Sequence, residues 1–248
     1  MLQDEIWDVD AAQRYDTPGT GMFSPEVLEP TVDRLVELAD GGRALEFAVG
    51  TGRVAVPLAR RGVPVSGIEL SQPMIDQLRT KVDEATIPVV VGDMATASAP
   101  GQFHLVYLVF NTIANLLTQA EQVECFRNAA RHLVPGGRFV IELWVPEVQK
   151  LPPGQQGVVC QAEDGYIGVD TYDVLHQRVV SHHFRFGDGR TARVFRTPHR
   201  YIWPAELDLM AQLAGFELES RHADWHAAEF TAESRSHVSV YRLAQVPS

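Results

Sequence analysis

A chain of 248 residues, 45% hydrophobic and 21% charged, has the composition of an ordinary globular protein and the length for one α/β core with an elaboration, which excludes disordered and fibrous classes. Its formal charge of -11 leaves no basic stripe to neutralise phosphates, so a small molecule or a short peptide is the expected partner, with no nucleic acid and no membrane. Two cysteines outside any CxxC spacing, no run approaching ~20 apolar residues, and the acidic start MLQDEIWDVD predict reduced thiols, no membrane span and a cytoplasmic protein.

In chain order, residues 1–24 carry the turn cluster YDTPGTGMFSP interleaved with Tyr15, Met22 and Phe23, which predicts an ordered loop acting as an N-terminal flap. Helical spacing of Val27, Leu28, Val32, Leu35, Val36 and Ala39 predicts a helix over Pro25–Ala39, ended by Asp40-Gly41-Gly42. Short apolar runs then alternate with amphipathic ones. The strands expected are Arg43–Ala48, Pro64–Glu69, Pro88–Val91, Leu105–Phe110 and Arg138–Leu143, with helices near 52–61, 73–84 and 119–133. This is the pattern of an α/β protein with a Rossmann-like, doubly wound sheet.

After Pro146 the texture changes to a breaker cluster, LPPGQQG, followed by Val-, Tyr- and Thr-rich segments with a GDGR turn at Gly187–Arg190, which predict antiparallel hairpins. A last helix over Pro204–Ala214 and strands at Phe216–Ala223 and Ser236–Leu243 complete the pattern. The expected organisation is therefore a flap (1–24), a cofactor-binding core (25–146), a β-rich insertion (147–203), and a C-terminal part (204–248) that adds antiparallel terminal strands to the core sheet.

The run Ala48-Val49-Gly50-Thr51-Gly52-Arg53 leaves the first strand and opens a helix. Small residues allow a sharp turn and close approach of a ligand, and the helix start offers free N–H groups. With Glu69 ending the second strand, this spacing alone suits either a dinucleotide, as in an NAD-dependent oxidoreductase, or S-adenosylmethionine.

Further residues favour the second. Glu46 opens the glycine motif, Glu69 ends the second strand in GIELS, Gly92-Asp93-Met94 follows the third strand, and Pro135-Gly136-Gly137 precedes the fifth. In these four features the chain resembles the class I S-adenosylmethionine-dependent methyltransferases over roughly Arg43–Leu143. One position departs, Ala48 standing where the family has glycine, a swap tolerated where φ is negative.

The resemblance implies S-adenosylmethionine as cofactor. It implies that Ala48, Gly50 and Gly52 pass beneath the methionine moiety, with Arg53 beside them, and that Glu46 orders that end. Glu69 would hold the ribose hydroxyls, Leu70 and Met74 flank the adenine, and Gly92, Asp93 and Met94 meet its edge and face. Phe110 and Asn111 would face the donor, and Tyr15 of the YD segment would fold across it. A non-catalytic S-adenosylmethionine-binding protein is the other alternative to a methyltransferase.

On the acceptor side, His182 and His183 are neighbours on a strand and point to opposite faces, so no metal-ligand spacing arises and no metal is expected. His183, Tyr201 and Glu142 are the candidate catalytic residues. His199, Tyr201 and Trp203 alternate as a potential aromatic wall, and Glu142 and Trp144 share a face at the carboxyl rim of the fifth strand. The insertion and chain size resemble bacterial natural-product methyltransferases, including sugar N,N-dimethyltransferases and peptide N-methyltransferases. That likeness implies methyl transfer to nitrogen or oxygen in secondary metabolism, and a homodimer.

Overall fold

The computed structural model describes residues 7–187 and 191–244. Two helices lead in, α1 (Val9–Tyr15) and α2 (Pro25–Ala39). α1 corrects the reading of the first 24 residues as loop. Asp8 accepts the Ala11 N–H at 2.8 Å and Asp10 pairs with Arg14 one turn on, which suffices for a seven-residue helix. α2 has the bounds its periodicity predicts, and Asp40 ends it in the left-handed conformation at φ 49°.

The core sheet contains β1 (Ala44–Phe47), β2 (Val65–Glu69), β3 (Val89–Val91), β4 (Phe103–Leu108) and β5 (Leu133–Trp144), joined by two late strands, β10 (Phe216–His222) and β11 (Ser236–Leu243). Their spatial order is β10-β11-β5-β4-β1-β2-β3. β1 through β5 pair in parallel, whereas β11 runs antiparallel to both β5 and β10. β1 and β2 are buried along their whole length, as strands covered on both faces must be.

Helices α3 (Ala55–Arg60), α4 (Gln72–Arg79), α5 (Gln119–His132) and α6 (Pro204–Leu213) cover the sheet. Two apolar clusters result, one on each face. Leu45 and Phe47 pack with Phe126, Phe139, Met210 and Phe216, while Ala44 packs with Leu35, Leu58 and Tyr107 on the other side. Pro135-Gly136-Gly137, expected as a turn before the fifth strand, lies inside β5. The register jumps there from Phe103↔Leu133 to Leu105↔Arg138, so the turn is a bulge that the strand runs through. α4 stops at Arg79, short of the predicted 84, because an Asx turn takes over in which Asp83 accepts the Thr86 N–H.

A separate four-stranded antiparallel sheet holds β6 (Gly157–Glu163), β7 (Tyr166–Asp173), β8 (Arg178–Phe186) and β9 (Ala192–Arg200), in that order. Three residues of the expected GDGR turn, 188–190, lie outside the described residues. β9 ends at Arg200, so Tyr201 and Trp203 do not continue it as an alternating wall. Tyr201 is 2% exposed, and Trp203 is 40% exposed at the start of α6. Arg200 fastens this sheet to the core. Its guanidinium, nearly buried, donates to Gln122 on α5 at 2.6 Å, to Gln177 at 3.0 Å and to Glu206 on α6 at 2.7 Å.

Candidate functional site

The chain leaves β1 through three left-handed residues, Ala48 (φ 53°), Gly50 (φ 55°) and Gly52 (φ 78°). A Cβ on Gly52 would lie 2.3 Å from Leu78 Cδ1, so this position requires glycine for space as well as for φ. Ala48 does not meet the condition of a negative φ under which alanine replaces glycine freely. It turns the chain so that Val49 N–H reaches the Ile68 carbonyl at 3.0 Å, and bears the strain of a left-handed L-residue, about 1–2 kcal/mol.

Glu69 closes the other side. Its Oε2 accepts the Gly50 N–H and its Oε1 the Ser71 N–H, each at 2.8 Å, and burial raises its pKa against the pull of these donors. Each oxygen thus keeps lone-pair capacity toward the cleft beside it. That cleft is lined by Tyr15, Ala48, Gly50, Glu69, Leu70, Met74, Gly92, Asp93 and Met94, nine of the residues expected at the cofactor. Asp93 also stabilises its own turn, Oδ1 accepting the Ala95 N–H at 2.7 Å.

Thr112, the last residue of the Phe110-Asn111-Thr112 run expected to face the donor, is in the lining, and Trp7, Ser71, Asn115 and Leu116, which were not anticipated, complete it. Trp7, Asn115 and Leu116 carry no local signal, because strand order alone brings them to this edge. Ser71 caps α4, accepting the Met74 N–H at 3.3 Å, and donates to the Trp7 carbonyl at 2.6 Å, holding the N-terminal segment across the cleft.

That segment is held at other points too. Tyr15 packs edge-on against Trp7 and Phe23, with centroids at 5.6 and 5.9 Å, and burial raises its pKa. Asp16 accepts from Thr51 at 2.6 Å and pairs with Lys81, which also donates to the Thr51 carbonyl at 2.8 Å. Arg53 donates to the Met22 carbonyl at 3.1 Å and lies over the rings of Phe23 and Phe110. Its place is therefore between flap and core, outside the cleft lining.

Glu46 and Gly52 are not in the lining either. Glu46 is 3% exposed beneath the loop and accepts from the Tyr107 hydroxyl at 2.9 Å. Burial pushes its pKa up to about 8, the Tyr107 hydrogen bond and the Arg53 charge opposing.

At the carboxyl end of β4, Phe110 (φ 54°) and Asn111 (φ 65°) are successive left-handed residues. β5 holds them: Phe110 N–H donates to Glu142 Oε2 at 2.7 Å, Asn111 N–H to the Glu142 carbonyl at 3.1 Å, and Asn111 Oδ1 accepts the Trp144 N–H at 2.8 Å. Neither Phe110 nor Asn111 lines the cleft. The turn they launch does.

The three residues expected to be catalytic have separate surroundings. Glu142 braces the Phe110 loop, and the Tyr201 ring neighbours that of Tyr172 at 6.2 Å. His183 is stacked on Phe195 at 4.2 Å, with Nδ1 bonded to the Tyr166 hydroxyl at 2.6 Å and Nε2 to Thr197 at 3.1 Å. His182 instead meets Thr171 and Arg196, so the two histidines do face opposite ways. No metal-ligand cluster occurs among the described residues.

A family profile described as a methyltransferase domain matches residues 44–137. The solved CcbJ methyltransferase of Streptomyces caelestis is 38% identical, with a TM-score of 0.82 over 95% of this chain and 96% of that one. This chain belongs to the S-adenosylmethionine-dependent methyltransferases. A cypemycin N-terminal methyltransferase from a Streptomyces species is 27% identical over 244 residues, 95% of this chain and 96% of the relative. The dTDP-3-amino-3,4,6-trideoxy-alpha-D-glucopyranose N,N-dimethyltransferase of Streptomyces venezuelae is 28% identical over 142 residues, 56% of this chain and 59% of that one.

The protein is thus a methyltransferase enzyme, its cofactor is S-adenosylmethionine, and the oxidoreductase reading falls away. The donor set fits that cofactor. A buried carboxylate with spare lone pairs suits vicinal hydroxyls, and Leu70, Met74 and Met94 offer apolar contact to a flat base.

Proposed function

We propose that this enzyme transfers the methyl group of S-adenosylmethionine to an amine nitrogen of a small molecule or short peptide, in secondary metabolism. Segment 1–24 acts as a flap over the cofactor, 25–146 and 204–248 form the core, and 147–203 covers the acceptor. The observation that carries this reading is the packing of β9 against the 3-10 turn Thr112–Asn115. That turn lines the cofactor cleft, so one end of the antiparallel sheet adjoins it.

In this reading Glu69 accepts from the two ribose hydroxyls, Asp93 from the adenine amino group, and Leu70, Met74 and Met94 enclose the base beside Gly92. Ala48, Gly50 and Gly52 carry the backbone beneath the methionine moiety, and Tyr15 turns an electron-rich ring toward positive charge. Glu46 and Arg53 act on the loop from below and behind, and Phe110 and Asn111 through the turn they launch.

The bound cofactor supplies an electrophilic methyl group on a sulfonium sulfur. What the protein adds is orientation of the acceptor lone pair and exclusion of water, so no covalent nucleophile and no metal is required. A neutral amine brings its own lone pair, whereas a hydroxyl needs a base. Glu142, His183 and Tyr201 are positioning residues here, Glu142 through the Phe110 loop. The likeness to an N-terminal methyltransferase and to an aminosugar N,N-dimethyltransferase supports nitrogen.

Supplying cell extract with methyl-labelled S-adenosylmethionine and locating the label by mass spectrometry tests the assignment. Label on nitrogen is expected, and label on oxygen, or no release of S-adenosylhomocysteine, overturns it. Two further readings accompany it. Exposed Leu209 and Leu213 on α6, with Leu218 on β10, support a homodimer, checked by sedimentation. Unpaired Cys125 and Cys160 support a reducing, cytoplasmic setting, and no helix among the described residues is long and apolar enough to cross a membrane.

A further inference from the structure

Asp170 pairs across β7–β8 with Ser181, and Ser181 across β8–β9 with Thr197. Asp170 and Thr197 therefore share a face of the antiparallel sheet, and His199, two residues along β9, shares it too. The His199 ring meets the Trp144 ring edge-on at 5.7 Å, and the Trp144 N–H is held by Asn111. This end of the sheet therefore abuts the carboxyl rim of the core, next to the turn that lines the cofactor cleft.

Asp170 Oδ1 and His199 Nδ1 are both buried and have no hydrogen-bond partner among the described residues. On the same face, His183 has both ring nitrogens engaged. The Cys160 thiol lies within reach of the Asp170 carboxylate, which leaves Oδ1 unmatched. Buried polar atoms without partners cost roughly 1–3 kcal/mol each, more when charged, and native proteins keep few of them without a use. Burial pushes His199 down to about 4, although Asp170 pulls the other way, so the imidazole is neutral at physiological pH.

A carboxylate oxygen and the Nδ1 of a neutral imidazole that carries its proton on Nε2 together present two acceptors. A hydroxyl has one hydrogen and satisfies one of them. A neutral primary amine has two, and once both are donated its lone pair points away from the pair.

We propose that Asp170 and His199 form the recognition site for a primary amine acceptor, each accepting one of its N–H bonds and leaving its lone pair for methyl transfer. The proposal rests on the reading of segment 147–203 as the acceptor's cover.

The test uses the whole enzyme saturated with S-adenosylhomocysteine and labelled with 15N-histidine. Probes are trialanine, methyl glucosaminide and benzylamine, each beside its hydroxyl counterpart. At least one amine is expected to shift the His199 ring nitrogens where its hydroxyl counterpart does not. Asp170→Asn and His199→Gln are expected to weaken that amine's binding at least tenfold, with S-adenosylhomocysteine binding unchanged as proof of folding. No shift with any amine, equal shifts with hydroxyl probes, or wild-type amine binding in Asp170→Asn overturns the pair. Nitrogen-labelled product formed with wild-type KM in both variants would remove the pair and leave N-methylation standing, whereas label on oxygen would remove both.

Discussion

The Gly50 amide donates to Oε2 of Glu69 at 2.8 Å, so the glycine loop and the acid that ends β2 are one device. The carboxylate shapes the loop and faces the cleft with the same two oxygens. Glu69→Ala is expected to raise the S-adenosylmethionine dissociation constant tenfold or more, since hydrogen bonds to a charged group contribute about 1.5–3 kcal/mol each. Titration calorimetry measures this, and unchanged affinity would take Glu69 out of the ribose site.

Glu46 yields a pH dependence. Burial holds its folded pKa at about 8, above the ordinary carboxyl value, so between those two values the folded state keeps a proton that the unfolded chain has lost. Stability from this group falls as pH rises through that window. Glu46→Gln, neutral at every pH and still an acceptor for Tyr107, should therefore gain on wild type as pH rises from 5 to 8 in cofactor-free melts. A Tm difference that stays constant across this range would contradict it.

Ala48 bears left-handed strain that glycine would not. Ala48→Gly should relieve it at the cost of a freer unfolded chain, for a net gain of about 0.5–1 kcal/mol, or roughly 1–4 °C in Tm. Scanning calorimetry reads it, and a lowered Tm would mean that the methyl group's packing outweighs its strain.

The N-terminal segment hangs on Asp16, Thr51 and Lys81. Lys81→Met removes the ion pair and the bond to the Thr51 carbonyl while keeping the aliphatic stem. Cofactor dissociation in stopped flow should accelerate several-fold if this segment closes over the cofactor; an unaltered off-rate would make the contact purely structural.

Arg200 joins the two sheets through Gln122, Gln177 and Glu206. Arg200→Met should destabilise by about 3 kcal/mol or more, because Glu206 is left largely buried without its cation. Denaturant unfolding measures this, and a change under 1 kcal/mol would show that the remaining amide partners carry Glu206 alone.

Pro25–Ala39 and Ser236–Leu243 have the bounds their patterns predict, since long amphipathic or alternating runs bury one face wherever they pack. α1 escaped notice because seven residues offer barely two turns of periodicity beside a Pro/Gly cluster, and one cap with one ion pair decides it. Nine of the fourteen residues expected at the cofactor line the cleft, eight because they follow strand ends that a parallel sheet brings to its carboxyl edge, and Tyr15 because the N-terminal segment folds over it. Glu46, Gly52, Arg53, Phe110 and Asn111 lie beneath or behind that lining, where a motif's spacing cannot say which side of the backbone a side chain takes.

The amino-acid sequence by itself determined the succession of strands and helices, the glycine loop, and the acids that distinguish the cofactor. Periodicity, turn chemistry and motif spacing are local, and each is written in consecutive residues. Only the tertiary structure decided that Trp7 and the Thr112 turn share a cleft with Glu69, that Ala48 is left-handed, and that His199 and Asp170 share one face of a second sheet, His199 beside Trp144. Those relations depend on strand order, register and the buried Arg200 anchor, and join residues far apart in the chain.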